Sequence, residues 1–357
     1  MKSQVYFFPA SGQESSESLA HKVAALFSNL GLPEKIVPEA FVALKIHFGE
    51  KGNTGFIKPP CLSEMIREIG KRRARAFFTD TNTLYVGNRS NSVDHLNLAA
   101  EHGFSQEKTG IPTIIADGLI GRDDDEVAVD LPRIQSAKVA SAILNSDVLV
   151  CLNHFTGHIS TGVGAAIKNL GMGCASRAGK LEQHSDAHPR VNPKVCTNCG
   201  VCLDYCPAGA IIQTDGSAYI VNEKCIGCGE CLVVCSVGAV KHRWDQDYIR
   251  VQEKMAEYAF AVMKRFQERI GFINFVLTIT KDCDCMSTKG KIIADDVGIL
   301  ASLDPVALDK ASVDLVIERS GTDVLRKANE VDWAVQFRHG EKIGLGRMAY
   351  ELVSLAD

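Results

Sequence analysis

The feature that most constrains this chain is a duplicated run of cysteines just past its midpoint. Each run has the spacing C-x2-C-x2-C-x3-C; the first is Cys196, Cys199, Cys202 and Cys206, and the second is Cys225, Cys228, Cys231 and Cys235. Three thiolates this close together can hold three corners of an iron–sulfur cubane, and the fourth ligand then comes from elsewhere. The duplication therefore predicts two 4Fe–4S clusters within residues 190–242, and with them a protein that transfers electrons.

Zinc is the alternative interpretation of the same cysteines. Zinc sites with four thiolate ligands usually separate two C-x2-4-C hooks by a longer loop, which disfavours zinc here. Residues 191–242 resemble the bacterial ferredoxins that carry two clusters. That resemblance implies crossed ligation, in which the fourth cysteine of each run serves the other cluster. The implied ligand sets are Cys196, Cys199, Cys202 and Cys235 for one cluster, and Cys225, Cys228, Cys231 and Cys206 for the other.

The composition is typical of a cytosolic metalloprotein. The chain of 357 residues contains 13 cysteines, and we recognise no secretion signal in its sequence. This combination favours metal ligation over disulfides. The formal net charge of −4 is too small to indicate a nucleic-acid partner. No apolar stretch is long enough to span a bilayer, so we expect a cytoplasmic protein with no membrane span.

Outside the cysteine runs, short apolar stretches alternate with amphipathic ones. Strands are predicted at residues 5–8, 41–48, 75–79, 112–116, 148–152 and 272–279, and helices at residues 19–30, 60–71, 92–102, 136–145 and 255–266. This alternation indicates an α/β fold with a mainly parallel sheet flanked by helices. The expected domains are a discontinuous α/β domain of residues 1–187 and 243–357, and an inserted, small α+β ferredoxin-like domain of residues 188–242.

The predicted strands lead into unusually polar segments. Ligands of open parallel sheets bind beyond the carboxyl ends of the strands. The polar residues at these ends are Lys45, His47, Glu50, Lys51, Asp80, Asn82, Asp117, Asn153, His154 and residues 281–285. Each alone is ordinary for a turn, whereas their convergence would form a site. We predict an active site that faces a small anionic molecule, formed by Lys168, His154, His47, Cys283 and Cys285.

The glycine-rich segment 157–164 precedes Lys168 and superficially resembles a phosphate-binding loop. A P-loop requires Lys and then Ser or Thr after its second glycine, whereas Val163 and Gly164 follow Gly162 here. Two interpretations remain open. Either the segment forms an anion pocket at the N-terminus of a helix that contains Lys168, or it is a tight turn with Lys168 in solvent.

Five further cysteines lie outside the two runs. Cys283 and Cys285 are two residues apart, so on a continuing strand their sulfurs would point the same way and could share a metal or a redox partner. Cys174 is a candidate third member of that group. Cys61 and Cys151 fit buried, apolar positions.

Some histidines and aspartates are weaker candidates for function. His184 and His188 precede the first cysteine run, where surface histidines are ordinary. Asp304 before Pro305 is typical of a helix N-cap, which explains that aspartate without a functional role. Asp309 has no such simple explanation.

The chain outside the cysteine runs resembles the domain of unknown function 362 (DUF362). The resemblance covers nearly the full length and is carried by segments 153–155, 164–169, 296–302 and 304–309, above all by Lys-Asn at 168–169 and Asp-Pro-Val-Ala-x-Asp at 304–309. Members that carry a ferredoxin segment are called uncharacterised Fe–S center proteins. The resemblance implies the inserted layout and a prokaryotic, often anaerobic, setting, but it implies no substrate or catalytic residues.

Three functions follow from these observations. The leading hypothesis is an oxidoreductase whose clusters exchange electrons with a site at the strand ends, because an electron carrier alone needs only about fifty residues. The second is a non-catalytic electron-transfer or assembly protein that docks a redox partner protein. The third, in which the clusters only brace the fold, is disfavoured because two adjacent clusters suit a relay.

Overall fold

The computed structural model describes residues 2–85, 87–184, 188–225, 227, 229–241, 248–287 and 290–356. The predicted cluster ligand Cys228 lies outside the described residues. The chain forms a mixed α/β structure with an eight-stranded, mostly parallel sheet flanked by helices. The predicted fold class is therefore confirmed.

The regular elements follow one another along the chain as alternating strands and helices. The strands are β1 (Ser3–Pro9), β2 (Phe41–Ile46), β3 (Arg75–Asp80), β4 (Thr113–Ile115), β5 (Asp124–Ala128), β6 (Ser136–Ala140), β7 (Val148–His154), β8 (Thr156–His158), β9 (Gly162–Gly164), β10 (Arg190–Val191), β11 (Ile211–Thr214), β12 (Ser217–Ile220), β13 (Val240–Lys241), β14 (Ile270–Val276), β15 (Gly298–Ser302) and β16 (Tyr350–Ser354). The α-helices are α1 (Ser16–Asn29), α2 (Ser63–Lys71), α3 (Ser92–Glu101), α4 (Gln106–Thr109), α5 (Ser141–Leu144), α6 (Ala166–Gly171), α7 (Arg177–His184), α8 (Val201–Asp204), α9 (Glu230–Val234), α10 (Tyr248–Phe266), α11 (Pro305–Ser320), α12 (Val324–Asn329) and α13 (Ala334–Lys342). Short 3-10 helices are Pro33–Lys35, Pro59–Leu62 and Asn222–Lys224. Among the described residues, no helix is both long and apolar enough to cross a membrane.

The large sheet has the spatial order β16-β1-β15-β14-β7-β2-β3-β4. β15 runs antiparallel to both of its neighbours, β1 and β14, and the other neighbouring pairs of this sheet are parallel. Within the described part of the chain, β1 pairs only with β15 and β16. The carboxyl ends of β14, β7, β2 and β3 lie side by side, so the loops that follow them meet at one edge.

Both faces of the sheet are covered, which explains the continuous apolar runs of its central strands. In β7, Val148, Val150 and Leu152 pack into one hydrophobic core, and Leu149 and Cys151 pack into the other. Successive side chains of a strand point to opposite faces, so one strand serves both cores. Helices α1 and α2 cover the first face, and α6, α10, α11 and α13 cover the second. Each fully buried aliphatic side chain stabilises the fold by about 1.5–3 kcal/mol.

The ends of two helices follow from local sequence signals. Ser15 accepts a hydrogen bond from the N–H of Ser18 at 3.2 Å, as an N-cap of α1 does, and Gly31 follows the helix with φ +63°. Asp304 caps α11 and accepts two N–H groups of its first turn at 2.9 and 3.0 Å. The capping role of Asp304 is therefore confirmed.

The helix predicted at residues 136–145 is wrong in its first half. Residues 136–140 form β6, which pairs antiparallel with β5, and helix α5 begins only at Ser141. Ala137 and Val139 are fully buried and alternate with half-buried side chains, which is the period of a strand. Pairing with a neighbouring strand outweighs helix propensity in so short a segment.

The cysteine-rich segment contributes no strand to the large sheet within the described residues. Its strands form two separate antiparallel pairs, β10 with β13 and β11 with β12. Leu84 and Leu181, from outside the segment, join its small hydrophobic core. The guanidinium of Arg177 on α7 also donates to the carboxylate of Glu230 on α9 at 2.7 Å, and both side chains are buried. The segment is thus packed against the α/β part at a defined place.

Candidate functional site

A cavity of about 650 Å³ lies at the carboxyl edge of the large sheet. Its walls include His47 after β2, His154 at the end of β7, Lys168 on α6, and Cys283 and Cys285 in the loop after β14. These are the five residues that the sequence suggested for an active site. Parallel strands bring such distant positions together because their carboxyl ends share one edge. The volume lies in the range of small-molecule sites, about 300–1,000 Å³.

A buried ion network forms one wall of the cavity. Lys45 on β2 donates to Asp80 at 2.8 Å and to Asn169 at 2.7 Å. The guanidinium of Arg89 contacts Glu50 at 3.1 Å and Asp80 at 3.6 Å. Burial favours a raised pKa for Asp80, but its cationic neighbours, Lys45 above all, hold that pKa well below its usual value. Because each of these charges has an opposite partner, the network fixes the shape of the wall.

Lys168 differs from these cations because its ammonium has no hydrogen-bond or ion-pair partner among the described residues. Burial, with the positive charge of Arg89, lowers the pKa of Lys168 to about 8. At pH 7 the side chain is therefore mostly cationic. Its charge is available to a ligand in the cavity.

Three of the histidines that line the cavity, His47, His154 and His158, differ in charge. The ring of His154 contacts the carboxylate of Asp284 at 2.8 Å and the carbonyl of Leu277 at 2.9 Å. Burial opposes the charged ring, but Asp284 outweighs it and raises the pKa of His154. Burial lowers the pKa of His47 and of His158 well below the usual value. The cavity thus offers one histidine that favours the cation and two that are neutral.

His158 lies beside the cysteine pair. A ring nitrogen of His158 and the sulfurs of Cys283 and Cys285 all lie within 4.8 Å of one another. Nδ1 of His158 accepts hydrogen bonds from the N–H groups of Ser160 and Thr161 at 3.1 and 3.2 Å. Since Nδ1 is an acceptor, the proton of the neutral ring resides on Nε2. Two cysteines and a histidine are also residues that hold a metal ion, so this group is a candidate metal site.

Cys283 and Cys285 are joined in a disulfide. The expectation that they share an extended strand is wrong, since β14 ends at Val276 and both cysteines lie in the loop beyond it. The loop turns back on itself and brings the sulfurs together. The additional metal predicted near this pair remains a proposal.

The other three cysteines outside the runs are buried. Cys61, Cys151 and Cys174 are 6%, 0% and 0% exposed, as small apolar residues are. The thiol of Cys174 faces the carbonyl of Asn169 at 3.7 Å, and burial raises its pKa to about 12. Cys174 is not in the group formed by His158, Cys283 and Cys285.

Of the two open interpretations of the glycine-rich segment, the anion pocket at the helix N-terminus is excluded because a carboxylate of the protein fills that position. The glycine-rich segment forms the hairpin β8–β9, and helix α6 follows. The N–H groups of Ala166 and Ile167 donate to the two oxygens of Asp309, each at 2.9 Å. Asn274 donates to the same carboxylate at 2.8 Å, and burial raises the pKa of Asp309 to about 6. The positive potential available to a ligand therefore comes from side chains, with Lys168 foremost.

Two smaller cavities lie within the cysteine-rich segment, each lined by cysteines of both runs. The first is lined by Cys196, Cys199, Cys202 and Cys235, and the second by Cys206, Cys225 and Cys231. Cys235 thus lies with the first three cysteines of the first run, and Cys206 lies with Cys225 and Cys231 of the second. This is the grouping that the ferredoxin resemblance implied, with Cys228 outside the described residues.

The sulfurs at these cavities accept backbone hydrogen bonds. The N–H of Ala210 donates to Cys206 at 3.2 Å, and that of Ala239 donates to Cys235 at 3.1 Å. Both bonds span four residues, which reflects the duplication. Such donors stabilise thiolates, so the cysteines present fit a thiolate-ligated cluster.

One loop connects the cysteine-rich segment to the large cavity. Leu84 packs in the core that includes Cys231, and it also lines the large cavity. The next residue, Tyr85, donates its hydroxyl to the carbonyl of Cys285 at 3.2 Å. The second cysteine cavity and the cysteine pair are thus joined through two adjacent residues.

Several cavity residues carried no signal in the sequence. Tyr85 and Arg89 lie in a loop after β3, where polar residues are ordinary, and His158 was read only as part of a glycine-rich turn. His184 lines the cavity, whereas His188 is exposed. The rule that ligands bind beyond the carboxyl ends of parallel strands, here called the strand-end rule, identifies residues directly after a strand. It does not identify residues in a loop that returns to the edge of the sheet.

The fold and site define an α/β protein with a ligand cavity at its strand ends and a cysteine-rich segment packed against that cavity. The chain belongs to the DUF362 family, because the family model described as a domain of unknown function (DUF362) matches residues 42–314. No curated protein matches the chain.

Two solved structures show partial similarity to this chain. The lactate racemase apoprotein from Thermoanaerobacterium thermosaccharolyticum has 10% sequence identity and a TM-score of 0.40, over 78% of this chain and 51% of that one. A protein from Thermotoga maritima has 9% identity and a TM-score of 0.41, over 86% of this chain and 59% of that one. In both cases this chain spans less than two thirds of the other protein.

Proposed function

We propose that this protein is an iron–sulfur oxidoreductase that exchanges electrons between two 4Fe–4S clusters and a small anionic substrate in the large cavity. In this proposal, residues 188–242 form a ferredoxin-like domain inserted into a DUF362 domain of residues 1–187 and 243–357. The observation that carries the proposal is the grouping of cysteines from both runs around two cavities, one of which adjoins the wall of the large cavity.

The cysteines of each cavity would hold one cluster, and the clusters would supply one-electron transfer. The proposed ligands are Cys196, Cys199, Cys202 and Cys235 for one cluster, and Cys225, Cys228, Cys231 and Cys206 for the other. Backbone N–H groups stabilise the ligating sulfurs. Leu84 packs in the small core that includes Cys231 and also lines the large cavity.

The charges of the cavity support an anionic substrate. Lys168 supplies a cation whose ammonium has no hydrogen-bond or ion-pair partner among the residues that the structure describes, and Asp284 holds His154 toward its protonated form. Lys168 would bind and orient the anion, and His154 would hold a proton at its ring for transfer. A simple electron carrier or docking protein would not require such a cavity. The cavity therefore favours an enzyme over these two alternatives.

Anaerobic reconstitution and reduction test this function. We expect about eight iron atoms per chain and, after reduction with dithionite, the EPR spectrum of two interacting clusters. Iron and acid-labile sulfide analysis on the same sample serves as the stoichiometric control. Bound zinc without iron or an EPR signal would contradict the proposal.

A further inference from the structure

We propose that Cys283 and Cys285 form a redox-active disulfide, which relays electron pairs between the cysteine-rich segment and a substrate in the large cavity. This inference rests on the proposed function, because the electrons come from clusters in that segment. Both cysteines line the cavity, and the pair is bonded in this structure. Cys283 is 8% exposed and Cys285 is half-buried, so a ligand in the cavity can reach the pair.

The surroundings of the pair favour a reactive thiolate. His158 lies beside the sulfurs, and its Nδ1 is occupied by backbone N–H groups, which leaves Nε2–H as a donor. The unpaired ammonium of Lys168 lines the same cavity and feels the charge of Asp284, the residue between the two cysteines. Hydrogen-bond donors and cations near a thiol favour its ionised, nucleophilic form.

A metal site is the competing interpretation of the same three residues. A metal-bound histidine offers a lone pair to the ion and usually donates its other ring N–H to an acceptor. His158 has the opposite arrangement, since its Nδ1 accepts from Ser160 and Thr161. The hydrogen bonds therefore favour a histidine that donates toward sulfur over one that ligates a metal.

A continuous set of contacts leads from the second cysteine cavity to the pair. Leu84 packs with Cys231 on one side and lines the large cavity on the other. Tyr85 follows it and donates to the carbonyl of Cys285 at 3.2 Å. This route runs through Leu84 and Tyr85, which are adjacent in the chain.

The electron count matches the proposed clusters. The sulfur–sulfur bond breaks when it takes up two electrons and two protons, which yields two thiols. Two one-electron clusters deliver that pair, and a low-potential donor protein reduces them again. The protons come from water in the cavity. In the next step the dithiol passes its two electrons and two protons to an oxidised, anionic substrate, and the sulfur–sulfur bond forms again.

Counting electrons during anaerobic reduction tests the relay. With methyl viologen as mediator, we expect the wild-type protein to take up about four electrons per chain, two for the clusters and two for the disulfide. The variant Cys283→Ser/Cys285→Ser should take up about two and retain its iron. Cys61→Ala, which removes a buried cysteine outside the cavity, should still take up about four.

Alkylation and mass spectrometry of the wild-type protein provide a second measurement that does not depend on the folding of a variant. The pair should resist alkylation before reduction and react after it, whether viologen or dithiothreitol is the reductant. Iron-loaded protein whose pair stays unreactive after viologen reduction would overturn the relay and leave the proposed function standing. Protein that lacks iron but has a pair reversibly reduced by dithiothreitol would overturn the proposed function. One zinc per chain, lost in the double variant, would overturn the relay in favour of a metal site.

Discussion

Lys168 is half-buried, and its ammonium forms no ion pair within the described part of the chain, a position that costs stability unless a ligand offsets it. Its neighbours in the cavity, Lys45 and Arg89, have carboxylate partners at 2.8 and 3.1 Å. Among the described residues, the ammonium of Lys168 thus lines the cavity without a hydrogen-bond or ion-pair partner. An anionic ligand would complete the arrangement.

Replacing Lys168 with alanine should weaken anion binding by about 10- to 150-fold, because a hydrogen bond to a charged group contributes about 1.5–3 kcal/mol. Calorimetric titration with oxalate and with inorganic sulfate measures this at pH 7. Burial lowers the pKa of Lys168 to about 8, so the cation is present below that pH and lost above it. Wild-type affinity should therefore fall as the pH rises through about 8.

The variant Lys168→Arg is the matched control, because it keeps the charge at all these pH values. It should bind the anions without the loss above pH 8. Iron content should equal that of the wild type in both variants. An unchanged affinity in Lys168→Ala would show that the anion binds elsewhere, and a loss of iron would make Lys168 structural.

Whether the sequence could predict a cavity residue depends on how closely that residue follows the preceding strand. His47 and His154 follow strand ends directly, and the strand-end rule places them at the cavity. Arg89 reaches the cavity only because the loop after β3 folds back, where it contacts Glu50. No local pattern encodes such a return, because it depends on contacts between residues far apart in the chain.

Among the elements, α6 shows why a motif can be misread. The glycine-rich turn and the helix start are both present, but Asp309 on α11 occupies the N-terminal N–H groups. Asp309 lies 143 residues after Ala166 and 142 residues after Ile167 in the chain. Local sequence indicates an anion site correctly, but it does not reveal that the anion belongs to the protein.

For the cysteine-rich segment, crossed ligation predicts that Cys206→Ser disturbs the cluster held mainly by the second cysteine run, not the cluster held mainly by its own run. In that variant, Cys225 and Cys231 should become reactive to iodoacetamide, while Cys196 and Cys199 stay protected. The reason is that Cys206 lines one cavity with Cys225 and Cys231. Peptide mass spectrometry after anaerobic alkylation reads the pattern.

The variant Cys235→Ser is the reciprocal control, because Cys235 lines the other cavity. It should expose Cys196 and Cys199 and leave Cys225 protected. If each serine variant instead exposes cysteines of its own run, the ligation is not crossed.

For the whole molecule, the sequence predicted the class and six of the eight strands described in the large sheet, but not the strand order. The parallel α/β class follows from alternating strand and helix patterns, each of which is local. The reversed strand β15 and its place between β1 and β14 depend on pairing between the two ends of the chain. Periodicity carries no information about such pairs.

Replacing Glu230 with alanine should loosen the attachment of the cysteine-rich segment. The variant would remove the carboxylate that the buried guanidinium of Arg177 contacts at 2.7 Å. Removing one member of a buried ion pair costs about 3–5 kcal/mol. We expect the free energy of unfolding in guanidinium to fall by about that amount, and proteolysis between the two parts to accelerate.

Glu39→Ala is the matched control, because it breaks the exposed ion pair with Arg75. Exposed pairs contribute about 0–1 kcal/mol, so stability should change little. If Glu230→Ala also costs less than about 1 kcal/mol, the pair does not fix the segment to the α/β part.

The pairing of β1 has a consequence for the synthesis of the chain. β1 is translated before the cysteine runs, whereas its described partners, β15 and β16, are translated after them. Both edges of this strand thus stay without their sheet neighbours while the cysteine runs are translated, and unpaired edges are prone to aggregate. Cluster insertion therefore has time to precede closure of the sheet. A delay in translation after residue 241 would prolong the interval in which β1 lacks its sheet neighbours and a chaperone has to shield it.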